Sequence, residues 1–252
     1  MRTAAILPVK RFAAAKSRLG ASVAQELRGE LARAMVADVL LALSRVASLE
    51  CTIVVTREPD IIEPARALGA LIVPDSDEQG QSAAVMLGVR RALAEGIERV
   101  LCIPGDCPAL EPAEIEALLA DQHAGGGETG AGAAPATRTG EPAAPPHEVV
   151  IVPDRHGTGT NGLLLRPPDA IAPSFGPGSC ERHRELARAA GVACRLERPP
   201  SLLLDVDTGA DLAALRERLG GEPRPGPRAD ARRTRAVLGE PERPRALSAH
   251  SG

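Results

Sequence analysis

The order of its apolar runs constrains this chain more than any other feature. Short aliphatic stretches recur at 4–7 (AAIL), 51–55 (CTIVV), 71–73 (LIV), 99–103 (RVLCI) and 148–152 (EVVIV). Helical segments lie between most of them, at 59–68, 82–95 and 112–120. Parallel strands need long crossovers, and a helix is the usual one. The alternation therefore predicts an α/β fold: a mostly parallel, Rossmann-like central sheet with helices on both faces. A further helix follows the first strand. Ser22 and Gln25 fit a capping box, and Val23, Leu27, Leu31, Met35 and Val39 recur every fourth residue. A triple leucine at 202–204 reads as one more strand. Ligands of such sheets bind beyond the carboxyl ends of the strands. The loops to inspect are therefore 8–21, 74–81, 104–111, 153–161 and 205–208.

Composition sets the limits. Hydrophobic residues make up 44% of 252 and aromatics only 1%, so the core must be aliphatic. The net charge of −3 speaks against a nucleic-acid binder, which needs a basic face. No run approaches the roughly 20 apolar residues that span a bilayer. Met1–Val9 lacks the layout of a signal peptide. Five cysteines with no CxxC fit a reduced, cytoplasmic chain. Residues 121–147, rich in Gly, Ala, Pro and Thr, read as a flexible insertion within a 1–220 domain. Residues 221–252 read as a disordered tail with seven Arg against four acidic residues. Its +3 taken from −3 leaves −6 for the domain.

Several loops carry residue types suited to phosphate chemistry. Pro8-Val9-Lys10-Arg11 runs on through Phe12 to Lys16, Ser17 and Arg18, placing four cations within nine residues. Such a loop suits a polyphosphate, and it equally reads as a solvated basic loop. It is no Walker A loop. Asp106 follows the strand at 99–103, and Asp205 and Asp207 follow the triple leucine. Together they make a candidate Mg²⁺ cluster, since Mg²⁺ takes carboxylate and phosphate oxygens. Separately, Asp106 fits a turn or cap before Pro112, and Asp207 fits the N-cap of a helix at 209–218. The 153–162 segment, with three glycines and Thr158, Thr160 and Asn161, reads as an anion-holding turn. Phe175-Gly176-Pro177-Gly178-Ser179 leads into a helix whose N-terminus attracts anions. Gly80, Gln81 and Ser82 open another helix, where Gly80 permits close approach and Gln81 or Ser82 can meet a base. Neither HExxH nor paired Cys/His spacing occurs, so zinc is not expected.

Taken together, LPVKRFAAAKSRLG, PGDCPAL, DRHGTGTNGLLL, FGPGSCERH and LLLDVDT resemble, in this order over residues 4–219, the 2-phospho-L-lactate and phosphoenolpyruvate guanylyltransferases of coenzyme F420 biosynthesis. The resemblance implies a nucleotide-diphospho-sugar transferase-like fold. It implies GTP and a small phosphorylated carboxylic acid as substrates, with Mg²⁺. Pro8, Val9, Lys10, Lys16, Arg18, Gly80 and Ser82 would bind the nucleotide, with Lys16, Arg18 and Asp106 in catalytic roles. Asp106, Asp205 and Asp207 would hold the metal, and Thr160, Gly176 and Ser179 the acid. The unstable product would pass to the next enzyme of the pathway. The chain departs from the family pattern at Gly80-Gln81-Ser82-Ala83, in its long insertion and in its tail. With 28 arginines and only Lys10 and Lys16, it suits a high-GC bacterial genome. That favours phosphoenolpyruvate, giving enolpyruvoyl-2-diphospho-5′-guanosine, with 2-phospho-L-lactate as the alternative acid. Rival readings are another nucleotidyltransferase of this fold and a non-catalytic nucleotide-binding protein.

Overall fold

The computed structural model describes residues 1–12, 19, 23–120, 147–220 and 231–239. The expected insertion falls almost wholly outside them, as do Lys16, Arg18 and Ser22. The elements run β1 (Thr3–Val9), α1 (Gln25–Leu43), β2 (Cys51–Thr56), α2 (Pro59–Ala67), β3 (Leu71–Pro74), α3 (Gln81–Ala94), β4 (Arg99–Cys102) and α4 (Pro112–Leu119). After the insertion come β5 (Glu148–Pro153), β6 (Thr160–Arg166), α5 (Ser179–Ala189), β7 (Ala193–Leu196), α6 (Gly209–Gly220) and α7 (Arg232–Val237).

The sheet has seven strands in the order β3-β2-β1-β4-β6-β5-β7. Only β6 runs antiparallel to its neighbours, β4 and β5. Side chains alternate across the sheet as the pleat requires. Ala5, Leu7, Val54, Leu101, Val150 and Leu164 pack on one side with α1, α2 and α4. Ala4, Ile6, Ile53, Val100, Ile151 and Leu165 pack on the other with α3 and α5. The α/β class with helices on both faces holds. A third cluster lies beyond α1, where Leu31 and Met35 meet Val206, Leu212 and Leu215. α1 is thus covered on two sides, so its apolar surface is wider than the four-residue repeat suggested. Leu27 of that repeat is 41% exposed, while Ala32, Val36 and Leu43 are buried.

Several expectations need correction. β6 and β7 were not foreseen: β6 opens on Thr160-Asn161-Gly162, which reads as a turn, and the edge strand β7 is mostly exposed. Leu202–Leu204 form no strand, because Pro199 and Pro200 lead into a turn in which Leu202 N–H donates to the Pro199 carbonyl at 3.0 Å. The expected capping box lies outside the described residues, because Ser22 and the Gln25 side chain are not among them. α1 starts at Gln25, with Ala24 at the cap and no side-chain cap bond. Part of the tail is ordered: α7 packs against α1. The buried Asp38 carboxylate of α1 accepts the N–H groups of Arg233 (3.2 Å) and Thr234 (2.8 Å), two donors that a helix N-terminus leaves unpaired. Composition signalled disorder because the partner that orders this segment is distant in sequence.

α3 rides close to β1 because residue 88 is glycine. A Cβ there would lie 2.5 Å from Ile6 Cγ2, and Ile6 is fully buried. Helix propensity alone favours Gly88→Ala by up to about 1 kcal/mol. Overpacking costs about 1–3 kcal/mol. The substitution is expected to lower the denaturant midpoint, and an unchanged or raised midpoint would contradict this packing.

Candidate active site

A cavity of about 590 Å³ opens at the carboxyl ends of β1, β2, β3 and β4, a size suited to a small ligand. Its position follows from the strand order. β1 pairs with β4 only from Thr3 to Ile6, but with β2 up to Val9. Leu7, Pro8 and Val9 therefore stand above the end of β4. Pro8 has no N–H to extend a ladder. The crevice lies where the chain, having added β2 and β3 on one side of β1, adds β4 on the other.

Five segments and two helices, α1 and α3, line it. Pro8 and Val9 end β1 and Lys10–Phe12 follow it, Arg57 follows β2, Asp75, Glu78 and Gly80 follow β3 with Gln81 and Ala84 in α3, and Pro104–Asp106 follow β4. Ala32, Met35 and Val36 of α1 complete the wall, and Asp207 enters from the segment before α6. Gly105 lies tight on α1: a Cβ there would meet Val36 at 2.8 Å. Gly80 caps α3 at φ 101°, a conformation that glycine alone adopts readily, and open space surrounds its missing Cβ. The first loop is pinned by a residue not foreseen. Buried Glu58 accepts the Phe12 N–H at 2.9 Å, and Thr56 Oγ1 donates to the Val9 carbonyl at 2.9 Å. Arg11 pairs with Glu78 at the rim at 3.0 Å, and among the described residues Lys10 and Arg57 are further exposed cations lining the cavity.

The acidic residues converge, though less tightly than expected. Val206 N–H donates to the Asp106 carbonyl at 3.0 Å, joining the two loops that bear Asp106, Asp205 and Asp207. Asp205 accepts from Asn161 Nδ2 at 3.1 Å, and the same amide reaches the Leu202 carbonyl. Asn161 sits at a register shift between β5 and β6, the kind of bulge that re-aims a side chain. Burial raises the Asp205 pKa; the Asn161 hydrogen bond opposes this, and the negative charges of Asp106 and Asp207 add to it. Asp207 is not the helix cap. Thr208 is: its hydroxyl accepts from Asp211 N–H (3.3 Å), while the Asp211 carboxylate accepts from Thr208 N–H (2.7 Å). Arg155 holds Asp211 from the β5–β6 loop at 2.7 Å. Among the described residues, no three His, Cys, Asp or Glu side chains form a ready cage for a metal ion. The expected cluster is instead an open set of oxygens that repel one another. Such a set fits a hard divalent cation that takes its remaining ligands from a phosphate.

The two glycine-rich segments behave differently. In the 153–162 turn the Asp154 carboxylate takes Thr158 N–H at 2.9 Å and its hydroxyl at 3.4 Å. Gly157 N–H also donates to the Asp154 carbonyl at 3.0 Å, so Asp154 takes up several of the donors that an anion would use. In the second, Gly178 is the cap of α5, and Ser179 is its first residue. Ser179 Oγ lies 3.1 Å from Thr160 Oγ1, and His183 Nδ1 approaches the same oxygen at 3.1 Å. Thr160, Ser179 and His183 are all buried. Phe175 N–H donates to Ser82 Oγ at 2.8 Å, so Ser82 ties this loop to α3 at the cavity wall. Gly176 is exposed on the loop at φ 114°, and Arg182 braces the loop from α5 through Ser174. Thus Pro8, Val9, Lys10, Gly80, Asp106 and Asp207 line one cavity, while Ser82, Thr160, Gly176, Ser179 and Asp205 are not brought into its lining.

The family described as "Guanylyl transferase CofC like" matches residues 3–130. A relative from Conexibacter woesei named phosphoenolpyruvate guanylyltransferase is 44% identical over 95% of this chain and 96% of its own. The chain belongs to this guanylyltransferase family. Another relative with the same printed name, from Rubrobacter xylanophilus, is 40% identical over 89% of this chain and 98% of its own. A putative nucleotide-diphospho-sugar transferase from Desulfovibrio desulfuricans has the same fold, with TM-score 0.65 at 20% identity over 95% of both chains. As a member of this family the chain is a nucleotidyltransferase enzyme.

Burial, with Arg182 adding to it, lowers the His183 pKa from 6.5 to about 4. The unfolded chain therefore binds a proton at a higher pH than the folded one. The sign follows: stability from this residue is complete above about pH 6.5 and is lost as the pH falls towards 4, by about 3 kcal/mol. Denaturation midpoints followed across that window should fall more for the wild type than for His183→Gln. Parallel curves would contradict a buried neutral imidazole.

Proposed function

We propose that this chain transfers GMP from GTP to phosphoenolpyruvate. The reaction releases pyrophosphate and forms enolpyruvoyl-2-diphospho-5′-guanosine for coenzyme F420 biosynthesis. One observation carries the reading: the Pro8–Lys10 loop, Asp106 and Asp207 meet in one crevice, in a chain whose relatives bear the name phosphoenolpyruvate guanylyltransferase.

A phosphate oxygen of the acid attacks the α-phosphorus of GTP. The bond from that phosphorus to the β-phosphate oxygen breaks, and pyrophosphate leaves. Pro8, Val9, Lys10 and Gly80 bound the space for the nucleotide, and Ser82 braces the loop next to it. Lys16 and Arg18, outside the described residues, are assigned with Lys10 to the charge of the triphosphate. Thr160, Gly176 and Ser179 are assigned to the acid. Asp106, Asp205 and Asp207 would hold Mg²⁺, which when bound offsets charge on the attacking and leaving oxygens. Asp106 has the catalytic role. Asn161 and the capping pair Thr208 and Asp211 keep the other two carboxylates in place. The mixed anhydride is reactive, which favours direct hand-off to the next enzyme of the pathway. No helix among the described residues is long and apolar enough to cross a membrane, and we place the reaction in the cytoplasm.

Purified protein with GTP and Mg²⁺ should release pyrophosphate with phosphoenolpyruvate and much less with 2-phospho-L-lactate or 3-phosphoglycerate. Faster release with 2-phospho-L-lactate would reassign the acid, and no release with any acid would overturn the reading. Asp106→Asn should cut turnover by on the order of 100-fold or more with the fold intact. Near-normal turnover would remove Asp106 from the chemistry.

A further inference from the structure

The hydroxyls of Thr160 and Ser179 lie among hydrogen bonds that can be counted group by group. His183 is fully buried between them and the 174–175 loop. Its Nε2 lies 2.9 Å from the backbone nitrogen of Ser174. A backbone N–H can only donate, so Nε2 must be the unprotonated acceptor. In a neutral imidazole the proton is then on Nδ1. Nδ1–H therefore donates to Thr160 Oγ1, 3.1 Å away. The edge of the Phe175 ring, its centroid 5.2 Å from that of His183, helps to fix the ring plane.

Two hydroxyl protons remain, one each on Thr160 and Ser179. One is used between the pair, with Ser179 Oγ donating to Thr160 Oγ1 at 3.1 Å. Whichever hydroxyl donates within the pair, the other keeps its proton. Among the described residues nothing accepts it. His183 cannot, because its Nδ1 is already a donor. The pair is thus left with a single O–H for which no described residue is an acceptor, beside a loop braced against α3 by Ser82. A group outside the chain that completes this set must offer an acceptor atom, which an oxyanion does.

We propose that His183 is a positioning residue for the acid. By donating from Nδ1 to Thr160 it makes the Thr160–Ser179 pair an obligate donor to an oxyanion of the acceptor substrate. This rests on the assignment of Thr160 and Ser179 to the acid. His183 touches neither substrate. It acts by blocking the arrangement in which Thr160 donates into the protein.

Two substitutions separate the two ring nitrogens. His183→Gln places an amide near Nε2 and can keep the bond to Ser174, but it loses the donor to Thr160. His183→Asn places an amide near Nδ1 and can keep that donor. His183→Gln is expected to raise KM for phosphoenolpyruvate roughly tenfold, the equivalent of about 1.4 kcal/mol, with KM for GTP unchanged. His183→Asn is expected to restore most of the affinity for the acid. Ring-nitrogen NMR of the wild-type protein at neutral pH should show the neutral Nδ1–H tautomer. An unchanged acid KM in His183→Gln, a parallel loss of all kinetic constants in both variants, or an Nε2–H or doubly protonated ring would overturn the proposal. A wild-type protein silent with every acid would instead sink the functional reading itself, and this inference with it.

Discussion

One main-chain hydrogen bond, from Val206 N–H to the Asp106 carbonyl, joins the two halves of the site. Asp106 ends the parallel half of the sheet. Asp205 and Asp207 arrive only after the antiparallel strand β6, the edge strand β7 and a turn at two prolines. Two further contacts join the same segments: Cys107 Sγ approaches the Leu202 carbonyl at 3.9 Å, and Ser201 N–H donates to Glu114 at 2.7 Å. The joint is supported on both sides. Val206 and Leu202 are fully buried, so apolar burial holds the incoming segment against α1 and the sheet. Asn161 and the Thr208–Asp211 cap then take up the neighbouring polar groups. Burial is the main cause of the raised Asp205 pKa, and the neighbouring charges of Asp106 and Asp207 add to it.

The same division explains the shape of the cavity. Four parallel strands end on one edge, so their following loops share one space. The antiparallel hairpin β5–β6 contributes no residue to the lining of that space; its bulge instead brings Asn161 to Asp205. In the proposed reaction the nucleotide would occupy the space at Lys10 and the N-terminus of α3. The proposed oxyanion site is separate, at the buried hydroxyls of Thr160 and Ser179. Asp106 and Asp207 would hold the cation that lets the two polyanions approach.

The elements that could be read from the sequence were those whose pattern is local. The apolar runs at β1, β2, β3, β4 and β5 are each found within a few residues of the stretch that suggested them, and so are α2, α3 and α4. β6 was hidden because Thr160, Asn161 and Gly162 carry turn chemistry while serving a strand. The leucines at 202–204 misled in the opposite sense, since their burial comes from packing and the prolines before them dictate a turn. Pro8, Val9, Lys10, Gly80, Asp106 and Asp207 proved to share one space, which strand ends alone could suggest. Glu58, Asn161 and Asp211 could not be foreseen as supports. Each acts on a backbone group or side chain brought near only by the fold, and only Glu58, just before Pro59 at a helix start, left a local trace. Asp38 ordering α7 is the same case in reverse, as composition reports nothing about a distant partner.

In the proposed reaction the phosphate of the acid attacks GTP directly. The most direct test is to supply phosphoenolpyruvate whose phosphate oxygens carry a heavy isotope and to weigh both products. The account predicts that all label stays in the guanosine-linked diphosphate and that pyrophosphate is unlabelled. Label in pyrophosphate, or its loss to free phosphate, would contradict it.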